Sequence, residues 1–116
     1  MVSPALRELM VRAPGAGTLA GEGVHTGSAE HPVCGDLVEI DVRLAGDRIE
    51  ALRWRAQGCP ASHAVAAVAG ESLPGTPLAQ AAAVLRRALA QLGDLGPTER
   101  HAERLVLTAL QHAAGA

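Results

Sequence analysis

The sequence predicts an α+β fold, in which a small antiparallel sheet packs against C-terminal helices. Apolar and polar residues alternate with a period of two in residues 37–45, and the alternation returns in residues 48–56 with one change of phase. After Gly58, apolar residues instead recur every three or four positions. A chain of 116 residues can bury one modest core. We therefore expect residues 1–116 to form a single domain.

The N-terminal part of the chain is predicted to hold one short helix and a long loop. Apolar residues lie at helical spacing within Pro4–Arg12, and Pro4 suits the first helical position. Residues 13–33 are rich in glycine, which favours a loop with one short extended piece around Thr18 and Leu19. We expect little regular structure between this helix and the sheet.

Residues 37–45 and 48–56 are predicted to form a central β-hairpin. The alternation in residues 37–45 is typical of a strand with one buried face. Gly46-Asp47 then offers a two-residue turn of the kind that joins hairpin strands. The apolar residues at the start of the second strand are out of phase with those at its end, which predicts a bulge near Ala51.

Three helices are predicted after the hairpin. The first begins at Pro60 and ends at Gly70, and the second begins at residues 76–77 and ends at Gly93. Thr98 is the expected N-cap of the third helix. These helices supply the apolar faces that cover the sheet.

Composition and charge narrow the classes of function. The formal net charge is −2 and basic residues do not cluster, so we expect no nucleic-acid partner. No apolar run reaches the roughly 18 residues that span a bilayer, and the N-terminal segment is charged where a signal peptide would be apolar. We therefore expect no membrane association and a cytoplasmic location. In a reducing compartment the two cysteines suit metal or sulfur chemistry better than a disulfide.

The hairpin geometry is expected to bring both cysteines together. Pairing outward from the turn places Cys34 close to opposite Cys59. Cys34 and Asp36 are two residues apart, so on an extended backbone their side chains project from the same face. Cys59 also lies where a helix is predicted to begin, and the partial positive charge of a helix N-terminus favours a thiolate. The residues thus predict one labile metal centre with soft and hard donors.

The sequence leaves two candidates for a fourth donor. His63 lies one helical turn after Cys59, whereas His101 lies in the first turn of the last helix and reaches the centre only through tertiary packing. Either imidazole would complete a four-coordinate set compatible with zinc. The simpler alternative is two buried, inert thiols with Asp36 as a turn residue. The other histidines are expected to be loop or tail residues: His25, His31 and His112.

Two short motifs resemble those of a known family. Residues 31–36, with the sequence HPVCGD, resemble the N-P-x-C-G-D segment of the NifU/IscU/SufU family of iron-sulfur cluster assembly scaffolds. Residues 58–62, with the sequence GCPAS, resemble the family's G-C-x-x-S segment at the expected separation. The likeness continues through the hairpin and, more loosely, through the helices. It implies a SufE/NifU-like fold, which agrees with the α+β prediction.

The resemblance implies a scaffold that receives sulfur from a cysteine desulfurase, assembles a transient iron-sulfur cluster and passes it to apo acceptor proteins; some members hold zinc. Cys34, Asp36 and Cys59 match the family's ligand positions, and Cys59 is the possible sulfur acceptor. Ala102 stands where the family has its third cysteine. The neighbouring His101 is the implied substitute, because histidine replaces cysteine in some clusters.

Three functions remain open at this stage. The first is a scaffold or carrier for iron or a labile cluster. The second is a zinc-containing sulfur acceptor that stimulates a cysteine desulfurase, and the third is a degenerate adaptor that keeps only the interaction surface. A scaffold role is expected in preference to an enzymatic one.

Overall fold

The computed structural model describes residues 4–31, 35–93 and 96–115. It contains a three-stranded antiparallel sheet of order β1-β2-β3, whose strands are β1 Val24–Glu30, β2 Leu37–Ala45 and β3 Arg48–Gln57. The α-helices are α1 Pro4–Arg12, α2 Pro60–Ser72, α3 Ala81–Gln91 and α4 Pro97–Gly115. A single 3₁₀ turn, Leu78–Gln80, precedes α3. The α+β prediction is confirmed.

The β2–β3 hairpin has the predicted turn and bulge. Arg43 pairs with Ala51, but Leu44 pairs with Ile49, so Glu50 is the extra residue in β3. This bulge changes the phase of the strand, which lets both Ile49 and the later apolar residues of β3 face the core. The out-of-phase apolar pattern is therefore a consequence of the bulge.

The prediction that residues 13–33 form a loop is wrong for Val24–Glu30, which forms strand β1 beside β2. Its two buried residues, Gly27 and Ala29, are small. A Cβ at position 27 would overlap the α4 backbone at Ala109 and Ala113, so glycine is required for this close approach. The strand therefore lacks the alternation of large apolar side chains by which strands are usually recognised. The extended piece expected around residues 18–19 forms no strand.

Helix α2 does not end at Gly70, as predicted, but continues to Ser72. A Cβ on Gly70 would overlap the carbonyl oxygen of Pro14. Glycine at this position therefore permits close packing of the N-terminal segment and does not stop the helix. Because α2 has buried residues all around its axis, it is the central helix of the core.

Helix α4 begins at Pro97, so the prediction of Thr98 as its N-cap is also wrong. Proline at the first helical position has no N–H to satisfy. The buried carboxylate of Glu99 accepts a hydrogen bond from the Gly96 N–H at 3.2 Å, which is the role of an acidic residue in a capping box. Glu99 thus helps to fix the start of the helix that carries His101.

The core lies between the sheet and the helices α2 and α4. The buried apolar side chains of β2 are Val38, Ile40 and Val42, which are fully inaccessible to solvent. They pack into one apolar cluster with alanine, valine and leucine residues of the three C-terminal helices. Among the residues described, none of the helices combines the length and apolar character needed to cross a bilayer.

The N-terminal segment is attached to the sheet by Trp54. The indole N–H of Trp54 donates to the Pro14 carbonyl at 2.8 Å, and the backbone N–H of Trp54 donates to the Gly15 carbonyl at 2.9 Å. The Gly17 N–H in turn donates to the Trp54 carbonyl at 3.0 Å. These bonds place the segment along the free edge of β3.

A buried carboxylate, Asp41, ties the same segment to β2. Arg55 donates to both of its oxygens, at 3.0 and 3.1 Å, and Thr26 and the backbone N–H of Leu19 donate at 2.8 and 3.0 Å. Burial raises the pKa of Asp41, but the hydrogen bonds from Arg55, Leu19 and Thr26 outweigh it and lower the pKa below 3.8. The same pairing raises the pKa of Arg55 above its ordinary value. Asp41 is therefore held as a fully satisfied anion.

Candidate functional site

The open end of the hairpin brings Asp36 next to Cys59. Leu37 pairs with Gln57 at this end of the ladder, so Asp36 precedes β2 where Gly58 and Cys59 follow β3. The Asp36 Oδ1 accepts a hydrogen bond from the Cys59 backbone N–H at 2.8 Å. The register predicted from the turn therefore places these two residues together, as the hairpin geometry suggested.

Gly58 allows the Asp36 carboxylate to reach this position. Its φ is +105°, a conformation that side-chain-bearing residues rarely adopt. A Cβ on Gly58 would also overlap the Oδ1 of Asp36. The glycine before Cys59 is therefore needed both for the backbone turn and for the space that the carboxylate occupies.

Cys59 occupies the N-cap position of α2, as the sequence suggested. Its backbone is extended, with φ −60° and ψ 138°, and its side chain makes no capping hydrogen bond. Pro60 follows in the first helical position. The half-buried thiol therefore lies at the positive end of the central helix, and within the described part of the chain it forms no disulfide.

A cavity of about 310 Å³ adjoins Asp36 and Cys59. Its wall is formed by His31, Asp36, Cys59, Pro97, Thr98 and His101. Helix α4 contributes His101 from its first two turns. Three of the four predicted site residues therefore border one space, whereas the fourth, Cys34, lies outside the described residues.

His63, the alternative fourth donor, does not line this cavity. Its Nδ1 lies 3.3 Å from the Cys59 carbonyl oxygen, one helical turn before it. Its ring packs edge-on against Trp54, with the ring centroids 6.2 Å apart. The structure thus brings His101 to the cavity and directs His63 toward the sheet. The role of His101 as a ligand stays a prediction.

His31 is a potential ligand on the cavity wall that sequence reasoning missed. Its ring meets that of His101 edge to face, with centroids 4.1 Å apart and an interplanar angle of 67°. The available signal was its place at the start of the motif in residues 31–36, three positions before Cys34. Assigning His31 to a loop does not predict the direction of its ring. Its position in the cavity could be recognised only from its packing against α4.

Ala102, which the motif resemblance aligns with the third family cysteine, is 3% exposed and belongs to the apolar core. It is absent from the wall of the cavity. The described donors are therefore one thiol, one carboxylate and two imidazoles. Such a mixture suits iron or zinc, because thiolates and imidazoles are good ligands for both.

The described donors do not form a closed coordination shell. Among residues 4–31, 35–93 and 96–115, no three potential ligand side chains stand close enough to hold a metal ion. A larger hollow of about 370 Å³ lies between the 3₁₀ turn and the end of α4, but alanine and leucine dominate its wall and it carries no titratable side chain. The cavity of about 310 Å³ is the candidate site because its wall joins a thiol, a carboxylate and two imidazoles.

Comparison with known proteins finds relatives that carry NifU or IscU names. The sequence model of the NifU-like N terminal domain matches residues 8–116. The iron-sulfur cluster assembly scaffold protein IscU 1 of Archaeoglobus fulgidus is 34% identical over 88 residues, which are 75% of this chain and 58% of that protein. The bifunctional protein NifU/MnmA of Rubrobacter xylanophilus is 34% identical over 114 residues, 95% of this chain but 23% of that protein. The chain thus spans little more than half the length of the IscU relative.

Two solved structures have a fold similar to that of this chain. One is a candidate iron-sulfur cluster assembly scaffold for the SUF system from Fervidobacterium islandicum, which superposes with a TM-score of 0.68 at 19% identity. The superposition covers 98% of this chain and 94% of the Fervidobacterium chain. The N-terminal part of a NifU-like protein from Brucella abortus gives a TM-score of 0.68 at 16% identity, covering 97% and 88%. At these identities the likeness shows the fold alone. The sequence match over residues 8–116 shows that the chain belongs to the NifU-like N-terminal domain family.

Proposed function

We propose that this chain is an iron-sulfur cluster assembly scaffold or carrier. It binds iron or a transient cluster as its cargo, receives sulfur from a cysteine desulfurase and delivers the cluster to apo acceptor proteins. One observation carries the proposal: Asp36, Cys59 and His101 border a single cavity at the open end of the hairpin. Family membership supports the cargo, since relatives with this domain are named as cluster assembly scaffolds.

The proposed ligands are Cys34, Asp36, Cys59 and His101. Cys34 belongs to the set by its place in the sequence, two residues before Asp36. Thiolates hold soft metals strongly, whereas a carboxylate oxygen is a harder and more exchangeable donor. Four donors of three chemical types therefore suit a cargo that must leave again. A structural site would instead be a closed tetrahedral set built from cysteine and histidine ligands.

Cys59 is the proposed sulfur acceptor. Its half-buried thiol borders the cavity, so a donor cysteine can approach it from the solvent side. The Cys59 thiolate attacks the outer sulfur of the donor's persulfide, and a new sulfur–sulfur bond forms on Cys59. The donor's own sulfur–sulfur bond breaks, and its cysteine leaves as a thiolate. This chemistry belongs in a reducing cytoplasm, and we propose that residues 1–116 perform it as one domain.

Anaerobic reconstitution tests the proposal. The purified protein is mixed with ferrous iron, L-cysteine and a cysteine desulfurase, and the visible chromophore, iron and acid-labile sulfide are measured. We expect iron and sulfide to be incorporated together, and we expect Cys34→Ser, Cys59→Ser and His101→Ala to reduce both. The matched control is His63→Ala, which removes a histidine outside the cavity. Wild-type protein that gains neither chromophore nor sulfide would contradict the scaffold proposal.

A second candidate function is a zinc-containing sulfur acceptor. It is favoured by the burial of Ala102 in the core, which leaves the cavity with imidazole donors in place of a third thiolate. Two thiolates, a carboxylate and an imidazole make a reasonable four-coordinate zinc set. This function predicts about one zinc per chain and a rise in desulfurase turnover that Cys59→Ala abolishes. Protein without zinc, iron or sulfide would point to an adaptor that keeps only the interaction surface.

A further inference from the structure

The backbone holds His31 firmly at the base of the loop that connects β1 to β2. The His31 N–H donates to the Asp36 carbonyl at 2.8 Å, and the Gly35 N–H donates to the His31 carbonyl at 2.8 Å. His31 and Asp36 are therefore fixed side by side across the mouth of this loop. The half-buried His31 side chain then borders the same cavity as Asp36, Cys59 and His101.

The imidazoles of His31 and His101 form a pair on the cavity wall. Their rings meet edge to face at a centroid distance of 4.1 Å. Edge-to-face packing of this kind is favourable between aromatic rings and by itself requires no ligand. The cavity offers the pair a second role, because both rings adjoin one space that a thiol and a carboxylate also border.

The composition of the cavity favours this second role. With Ala102 packed in the core, α4 presents His101 and no thiol to the cavity. Imidazole takes the place of thiolate in both mixed zinc sites and clusters in which two histidines ligate one iron. From this geometry, and resting on the proposed function, we propose that His31 is a ligand of the metal cargo. It supplies a second imidazole beside His101.

Metal binding at this pair needs only side-chain movement. No three described donors enclose an ion in the present arrangement, so at least one side chain must reorient before these residues hold a metal ion. The His31 backbone is clamped by its two hydrogen bonds, whereas rotation about side-chain torsions re-aims an imidazole without moving the loop. We therefore expect metal to change the environment of both imidazoles and to leave the secondary structure unchanged.

Cobalt(II) titration under anaerobic, reducing conditions tests this assignment. The d–d bands of cobalt report its ligand set, its sulfur-to-cobalt charge-transfer band reports thiolates, and its paramagnetically shifted imidazole N–H signals in NMR count histidines. We expect two shifted imidazole signals in the wild type. His31→Ala should lose one of them, alter the d–d bands and weaken cobalt binding at least about tenfold. The matched control His25→Ala, an exposed histidine of β1 away from the cavity, should behave as wild type.

The outcomes distinguish failure of this inference from failure of the metal site. If cobalt binds the wild type and the charge-transfer band weakens in Cys59→Ser, the metal site exists. An unchanged spectrum and affinity in His31→Ala would then overturn only the role of His31. Weaker binding with unchanged d–d bands and both imidazole signals would make His31 a support for His101 and would also overturn the assignment. No cobalt binding by folded wild-type protein would overturn the metal site and this inference together.

Discussion

Two buried aspartates of the β2 region differ in what surrounds them. Asp41 is 4% exposed, and both of its oxygens accept hydrogen bonds from Arg55 and other donors. Asp36 is 8% exposed, accepts the Cys59 N–H and borders a cavity. Within the described part of the chain, no arginine or lysine pairs with Asp36.

The difference separates a structural carboxylate from one that is available to a ligand. A buried anion whose acceptor sites are all used rigidifies its surroundings and has no free lone pair for a ligand. Asp36 keeps one oxygen outside its hydrogen bond to Cys59 and has open space beside it. We therefore expect substitutions of Asp41 to affect stability and substitutions around Asp36 to affect metal binding.

The largest effect on stability is expected for Asp41→Ala. This change leaves Arg55 without its partner and frees the N-terminal segment that Leu19 anchors. Breaking a buried ion pair costs about 3 to 5 kcal/mol, and because Arg55 is partly exposed we expect about 3 kcal/mol. Denaturant unfolding measures the loss, with Glu22→Ala as a control in an exposed loop carboxylate. Cobalt affinity should not change, since no partner of Asp41 lines the cavity. A loss below about 1 kcal/mol would contradict the structural role.

A smaller effect on stability, accompanied by an effect on binding, is expected for Gly58→Ala. The new Cβ would overlap the Asp36 Oδ1, and the alanine would have to adopt a φ of +105°. We expect a cost of about 2 kcal/mol and weaker cobalt binding, because the Asp36 carboxylate is displaced. Gly21→Ala is the matched control, since Gly21 has a φ of +108° but only an ordinary contact, with Arg43. Equal behaviour of the two variants in unfolding and cobalt titration would show that the contact with Asp36 is unimportant.

The sequence predicted the hairpin because its information is local. The alternation in β2, the turn at Gly46-Asp47 and the bulge all follow from neighbouring residues. Strand β1 could not be predicted in this way. Its inward residues are small because α4 lies directly over Gly27, so the strand is specified by tertiary packing that its own sequence does not reveal.

The site residues also fall into two groups: those that local sequence patterns predict and those that only tertiary packing brings to the cavity. The approach of Asp36 to Cys59 follows from the hairpin register, and sequence reasoning found both residues. The choice between His63 and His101, and the presence of His31 in the cavity, depend on where α4 docks against β1. Those contacts join residues about 70 positions apart, and no local pattern encodes them.

A substitution that keeps the shape of Asp36 but removes its charge tests whether Asp36 differs from Asp41 in binding metal. Asp36→Asn keeps a carbonyl oxygen that can accept the Cys59 N–H, so we expect a stability loss of at most about 1 kcal/mol. It removes the anionic donor, so cobalt affinity should fall clearly. Asp36→Ala, which loses the hydrogen bond as well, should cost about 1 to 2 kcal/mol. If Asp36→Asn binds cobalt as tightly as the wild type, Asp36 is a structural residue like Asp41 and not a ligand.

The smallest effect is expected from acid, and it tests whether Asp41 acts through its charge. The folded protein lowers the pKa of Asp41 below 3.8 because the hydrogen bonds outweigh burial, so its stabilising effect is fully present above that value. The effect is lost as the pH falls through the lowered pKa of the folded state. The difference in unfolding free energy between wild type and Asp41→Asn should therefore be constant from about pH 7 to pH 5 and shrink below about pH 4. A difference that grows with acid would mean that the folded state favours the protonated carboxyl, in which case the bonds to Arg55 do not dominate.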